Sequence, residues 1–311
     1  VSFNDLVDGG TLQIGGGEAI TATDDLTVTV KNAGTAGQNN NTLNVSVVGT
    51  AAVDVGTITA ADIETLNVSA GGAAAGNSIA VLTAAAARSL TLTGSSDLEI
   101  TAFTSSAALT SIDASAMTGA FVMGAAGAAT GATLLQGGSD ADTLIGNAGS
   151  DIITGGAGGD TLTGGAGADT ITGGDGNDTF NFDITEASLI GTANATTITD
   201  LAAGGDTLQF GNDAGDVFAG ITATAIVLGT AATDADTVNS LANVLTQIGT
   251  GTTQTAGGNL GGKLYTFTNG TAAGTYLHIN DDGTAAADAA DILINVTGIS
   301  GTLAASDFSF V

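Results

Sequence analysis

No cysteine, proline or tryptophan occurs in the 311 residues, and only Lys31, Arg88 and Lys263 carry fixed positive charge. Each absence removes a class of protein. Without cysteine there is neither a disulfide framework nor a thiolate-held zinc site. Three cations cannot neutralise a run of phosphates, so a nucleic-acid-binding surface is excluded. No apolar run approaches the length of a bilayer-spanning helix, so no transmembrane helix is expected. The single histidine, His278, leaves no HExxH zinc-protease motif, and no G-x-S-x-G turn is present. His278 sits in alternating sequence beside Tyr276 and reads as structural. The Gly-rich turns are not followed by G-K-[ST], and their acidic neighbours would repel phosphate. Asp-rich turns could mimic paired glycosidase carboxylates, but the repeat described below explains them better. No catalytic constellation survives, and the chain reads as a non-enzyme.

What is present is acid, glycine and small apolar residues. Thirty-one acidic side chains give a formal net charge of -28, although only 11% of residues are charged, against about 25% in ordinary globular proteins. A solvated acidic tail is poor in apolar residues, whereas this chain is 43% hydrophobic with a mean hydropathy of +0.37. The composition points to a folded, β-rich chain in which β-branched Thr and Val alternate with small residues and Gly, Asn and Asp supply the turns. Its acid must be neutralised by something other than Lys and Arg, and a metal cation is the first candidate.

Five consecutive blocks of nine from Gly137 to Asn181 give that cation a geometry: GGSDADTLI, GNAGSDIIT, GGAGGDTLT, GGAGADTIT, GGDGNDTFN. Position six is always Asp (Asp142, Asp151, Asp160, Asp169, Asp178), and position eight is Leu144, Ile153, Leu162, Ile171 or Phe180. A flexible linker would not hold both in register five times. The pattern is that of the calcium-binding parallel β-roll. Glycines at one, two and four permit a tight turn closed to residues with a Cβ, and Asn147, replacing one of them, is expected to tolerate a left-handed backbone. The apolar residue at eight points into the roll from a very short strand. Two nonapeptides make one coil, so Asp142, Asp160 and Asp178 line one edge and Asp151 and Asp169 the other. With strands about 4.8 Å apart, these carboxylates are expected to repel one another without a cation. Calcium takes six to eight oxygens and suits carboxylates and carbonyls. The pairs Asp142–Asp160, Asp160–Asp178 and Asp151–Asp169 predict about three fully caged ions, with weaker sites in the flanking turns. Asp140 departs from glycine at position four of the first block.

A looser repeat precedes the roll. Thr42–Ser46, Thr65–Ser69, Ser89–Thr93 and Ser111–Ser115 are similar segments that start 23, 24 and 22 residues apart. Each alternates apolar and polar residues as a half-buried strand does. An ordinary sandwich is the alternative, but the near-constant spacing favours the coils of a larger parallel solenoid sharing one elongated core with the roll. The block 128–136, with Leu135 at position eight but Thr133 in place of Asp, reads as the splice. Beyond the roll, Thr207–Phe210, Ile226–Leu228, Lys263–Thr268, Tyr276–Ile279 and Ile292–Val296 read as strands. Over 234–249 the steps between Val238, Leu241, Leu245 and Ile248 predict a helix packed on a sheet, with Asp234 or Asp236 as N-cap and Gly249 at its end. Three regions are expected: a strand-rich solenoid over 1–130, the β-roll over 131–185, and a β-rich cap with one short helix over 186–311. The fold class is all-β. Val1 opens the chain without Met or an N-terminal secretion signal, which reads as a fragment or a processed product.

The nonapeptides resemble those of RTX proteins, which Gram-negative bacteria secrete through type I systems. Ile198–Leu201, Gly204–Leu208, Asn280–Gly283 with Asp288, Asp291 and Ile292, and Thr302–Phe308 resemble the end of serralysin-type C-terminal domains. Asp307–Val311 fits the acidic-then-apolar end of an uncleaved secretion signal. The LNVSA and IDASA segments of residues 20–130 resemble strand-rich regions of RTX-type surface-layer (S-layer) proteins. The resemblance implies calcium ligands at the turn carbonyls and the Asp of position six: Gly155, Gly156, Gly158 and Asp160, with equivalents at Gly138, Gly149, Gly164, Gly165, Gly167, Gly173 and Asp175 and the other four aspartates. It further implies a secreted module at the bacterial cell surface, folding and self-associating into a lattice on extracellular calcium. Its partners would be the type I secretion machinery and an outer-membrane surface glycan reached through a missing N-terminal part. The alternatives are the secretion and folding domain of an exported protease or lipase, or a segment of an adhesin.

Overall fold

The computed structural model describes residues 2–6, 8–15, 26–30, 40–60, 62–72, 76–105, 108–124, 126–127, 131–183, 196–211, 226–228, 232–237, 260–269, 273–280 and 292–310. The chain divides into two compact units, Val1–Thr161 and Leu162–Val311, and the division falls inside the short strand Thr161–Thr163.

The first unit is a two-sheeted parallel solenoid. Alternate strands of the chain go to alternate sheets. In one sheet, Thr11–Gly15, Thr42–Gly49, Thr65–Gly72, Ser89–Gly94, Ser111–Met117, Leu134–Gln136 and Ile152–Ala157 pair in that order, all parallel. The facing set runs from Ser2–Leu6 through Leu26–Val30, Asp54–Ala60, Asn77–Ala84, Leu98–Ser105 and Phe121–Met123 to Thr143–Ile145, again parallel throughout. The spacings of the sequence are the register of the sheet: Thr42 lies beside Thr65, Thr65 beside Ser89, and Ser89 beside Ser111.

Alternation explains why these segments are strands. Along Thr42–Gly49 every second residue is buried, so Leu43, Val45 and Val47 face inward at 0–1% exposure while Thr42, Asn44 and Ser46 face outward. Stacking then places like on like. Leu43, Leu66, Leu90, Ile112, Leu135 and Ile153 form one continuous buried column. Leu135 of the degenerate block thus links the longer coils to the position-eight residue of the roll. On the outer face the Asn67 side-chain amide donates to Asn44 Oδ1 at 2.8 Å, and Asn44 donates to the Gly9 carbonyl at 2.8 Å. Such amide ladders are the polar counterpart of the inner column.

The second unit also begins with parallel pairs. Thr179–Asp183, Thr207–Gly211 and Phe308–Phe310 are neighbours in one sheet, with Phe182 stacked on Phe210 at 5.5 Å and Phe210 on Phe308 at 6.4 Å. In the other sheet Thr170–Asp175 pairs with Thr197–Ile198, which pairs with Ile292–Asn295. The direction then changes. Ile292–Asn295 lies antiparallel to Gly274–Asn280, and that strand antiparallel to Leu260–Asn269.

All five strand segments expected after the roll are strands, but the expected helix is not formed where it can be followed. Asp234 and Asp236 lie in the strand Ala232–Thr237, parallel to Leu260–Asn269, and are not N-caps. ATDADT carries no large apolar residue, and its backbone pairs along Leu260–Asn269 instead of starting a helix. Residues 238–249 lie outside the described residues. Among the described residues the single helical segment is a 3₁₀ turn, Ala305–Asp307. Among the described residues of this unit, strands extend both sheets.

Candidate metal centre

Each nonapeptide is a six-residue turn followed by a short strand such as Thr143–Ile145 or Thr161–Thr163. The strand contributes one fully buried side chain: Leu144, Ile153, Leu162, Ile171 and Phe180 are all 0% exposed. The Asp that closes each turn is also buried. Asp142, Asp151, Asp160, Asp169 and Asp178 are each 1% exposed, which would be costly for a carboxylate without partners.

The partners are backbone N–H groups. Asp142 Oδ2 accepts from Gly138 N, four residues earlier, and Oδ1 from Phe121 N in the preceding coil, both at 2.6 Å. Asp151 repeats this with Asn147 N at 2.8 Å and Thr133 N at 2.7 Å. Asp160 Oδ1 accepts from Asp142 N at 2.8 Å. In Asp142 and Asp151 one oxygen therefore holds the turn and the other ties the coil to its predecessor. Oriented N–H dipoles thus face Asp142, Asp151 and Asp160 beside the neighbouring carboxylates. The compensation is incomplete. Burial pushes Asp142 and Asp151 above the ordinary carboxylate value, against the lowering effect of Gly138 and Phe121 on the first and of Asn147 and Thr133 on the second. Asp140 adds a further, smaller upward push on Asp142.

The turns are of two kinds. In the last three, positions two and four have positive φ: 125° and 130° at Gly156 and Gly158, 86° and 140° at Gly165 and Gly167, 109° and 143° at Gly174 and Gly176. Only glycine enters that region freely. In the first two turns no residue does, and among the described non-glycine residues only Asp62 has positive φ. Asn147 is therefore not left-handed, contrary to the sequence expectation; its side chain is what fits the site. Position one is glycine for a different reason. A Cβ on Gly137, Gly164 or Gly173 would collide with Oδ2 of Asp142, Asp169 or Asp178, and one on Gly156 would strike the Gly138 carbonyl. The carboxylate is folded back over the turn.

This donor set fits a hard cation. Among the described residues no three His, Cys, Asp or Glu side chains cluster as a metal site, so an ion here would need backbone carbonyls together with the Asp that closes each turn. An ionised carboxylate has about four acceptor positions, so two N–H contacts leave capacity for a cation. The glycines expected as carbonyl donors all belong to these turns: Gly138 and Gly149 to the first kind, Gly155, Gly156, Gly158, Gly164, Gly165, Gly167 and Gly173 to the second. Asp175 lies exposed at position three of the last turn. Of the three carboxylate pairs, Asp142–Asp160 falls wholly within the first unit.

Sequence reasoning missed acids outside the roll that do the same work. Asp206 accepts from Asp178 N and Ala202 N through its two oxygens, as a roll aspartate does. Asp307 accepts from Gly204 N and Ala304 N. Asp200 receives Gly173 N and Gly174 N. In the longer coils Glu64 takes Asn41 N and Asp97 takes Ala120 N. The signal was there for Asp206, since Asp206-Thr207-Leu208 repeats Asp160-Thr161-Leu162. Glu64 and Asp97 have no such motif.

Comparison with known proteins agrees with this geometry. The family described as RTX calcium-binding nonapeptide repeat (4 copies) matches residues 128–162 and 154–184. The match includes the degenerate block before Gly137. No curated protein matches the chain. RTX calcium-binding nonapeptide repeats are thus present, and they support a calcium-binding structural module of a secreted protein.

Proposed function

We propose that the chain is the calcium-folded structural part of a type I-secreted surface-layer protein, without catalytic activity of its own. The observation that carries the calcium part is the set of five aspartates, one per nonapeptide, each 1% exposed, with Asp142, Asp169 and Asp178 folded over the first glycine of their turns. Bound calcium would supply the positive charge that offsets their burial. The chain's own residues do the rest. Glycines at positions two and four set the turn, the Asp at six fixes it through backbone N–H groups, and the apolar residue at eight enters the column. Because the unfolded chain has no preformed site, cation binding and folding are one equilibrium. Extracellular modules bind calcium at roughly 10⁻⁴–10⁻³ M, so the chain would stay threadable in the cytosol and fold outside. Its destination is the extracellular face of a bacterial cell, where it would self-associate into a lattice and reach a surface glycan through further sequence.

The surface-layer reading is favoured by the first unit, whose coils are built from Thr, Asn, Ser and small apolar residues without a catalytic grouping among the described residues. Circular dichroism and melting in millimolar calcium and in excess chelator test the coupling, and identical curves would contradict it. Electron microscopy of the purified protein with calcium tests the lattice. Sheets are expected, and monodisperse particles at every calcium level would favour the secretion domain of an exported enzyme or adhesin.

A further inference from the structure

The first interstice on the Asp151 edge of the roll is polar, buried and already filled. It lies between the turn around Gly131–Thr133 and the turn Asn147–Asp151. The Asn147 side-chain nitrogen donates to Thr133 Oγ1 at 2.7 Å and lies 3.4 Å from Asp151 Oδ1. Its carbonyl oxygen accepts from Gly149 N at 2.7 Å. That last bond fixes the amide's orientation, because flipping it would set NH₂ against N–H. Asn147, Thr133 and Asp151 are 9%, 3% and 1% exposed.

This arrangement does not suit a cation. Thr133 stands where other blocks carry Asp, so the interstice has one carboxylate instead of two. The NH₂ group that enters it is a donor and cannot ligate a metal. None of the described residues of these two turns has positive φ, unlike positions two and four of the last three turns. A second feature belongs to these same coils. Leu134 and Ile152 are register partners at position seven, exposed at 36% and 53%, where the other four blocks carry Thr. An apolar cross-strand pair adds stability that needs no ion.

We infer that Asn147 substitutes for calcium in this interstice, so that the first coil of the roll, from Thr133 round to Asp151, closes without metal and templates the calcium-dependent coils that follow. The inference rests on the calcium reading of the later turns, but its own claim concerns the chain without metal. The Asn147 amide bridges Thr133 and Asp151, Asp151 ties down the Thr133 N–H, and the column Ile112–Leu135–Ile153 runs through the coil.

The test combines hydrogen exchange in excess chelator with calcium counting by titration calorimetry, on the wild type, Asn147→Ala and Asn147→Asp. In chelator the wild-type amides of Thr133, Leu134 and Ile152 are expected to exchange at least tenfold more slowly than in Asn147→Ala. Asn147→Asp, which adds a second carboxylate and removes the amide donor, is expected to lose that protection without calcium and to bind about one more ion per chain. Equal protection in the wild type and Asn147→Ala would overturn the inference, as would an unchanged ion count in Asn147→Asp. A wild type that binds no calcium would instead defeat the proposed function, and the exchange data in chelator would still decide the role of Asn147.

Discussion

The 23-residue coils and the 18-residue coils share one column of buried side chains, yet they are held together differently. Between Leu43 and Ile63 the longer coil buries Leu43, Val45, Val47, Val53, Val55, Ile58, Ala60 and Ile63; between Gly137 and Thr154 the shorter one buries Leu144 and Ile153. A fully buried aliphatic side chain contributes about 1.5–3 kcal/mol, so the deficit is on the order of 10 kcal/mol per coil. In exchange, the shorter coil brings two buried carboxylates. The longer coils can stand on their apolar core, with corner acids such as Glu64 and Asp97 only satisfying backbone donors. The shorter coils have far less of that core and add acid whose burial calls for a cation, except where the Asn147 amide bridges Thr133 and Asp151. On the proposed reading, shortening a solenoid coil would exchange apolar core for dependence on a metal.

Removing calcium is expected to produce the largest effect. Calorimetry should show two transitions, and chelator should abolish or strongly lower the one that belongs to the roll while leaving that of the longer coils within a few degrees. A single transition that moves as a whole would erase the distinction. Next come substitutions that should behave oppositely in the two regions. Leu66→Ala should cost about 2–5 kcal/mol equally with and without calcium. Asp160→Asn should leave the calcium-free protein nearly unchanged and raise the calcium concentration at half-folding roughly tenfold to a hundredfold. Gly173→Ala drives a methyl group into Asp178 Oδ2 and should cost about 1–3 kcal/mol, read from denaturant unfolding in calcium.

The smallest expected effect is in pH. Burial raises Asp142 and Asp151 above 3.8, so between the unfolded and folded values the folded chain binds more protons than the unfolded one. Their contribution is complete below pH 3.8 and is lost as the pH climbs through the raised values. Melting of the chelated protein should therefore decline over that acidic range, and Asp142→Asn should flatten the decline. With calcium bound the trend should reverse, because the ion competes with the proton for the same carboxylates.

The column was legible because one apolar residue at a fixed place in every coil is a one-dimensional signal. Leu43, Leu66, Leu90, Ile112 and Leu135 could be aligned by eye, and the sheet pairs them in that order. The carboxylate partners were not legible. Which N–H faces Asp142 depends on where Phe121 falls in the preceding coil, and that offset differs between the two kinds of coil. Asn147 was misread because its type suits a left-handed backbone, while its role lies in a side-chain bridge to residue 133. The helix expected over 234–249 was drawn from apolar spacing and end signals; its expected N-cap residues Asp234 and Asp236 lie in a strand whose pairing with Leu260–Asn269 the sequence does not announce, and 238–249 lie outside the described residues.

The central claim is that calcium holds the short coils that follow the first, and not the long ones. Residue-resolved hydrogen exchange at neutral pH, with millimolar calcium and with chelator, tests it most directly. The amides of Leu66 and Val68 should keep their protection in both conditions, while those of Leu162 and Ile171 should lose theirs by several orders of magnitude in chelator. Equal protection of Ile171 with and without calcium would contradict the account.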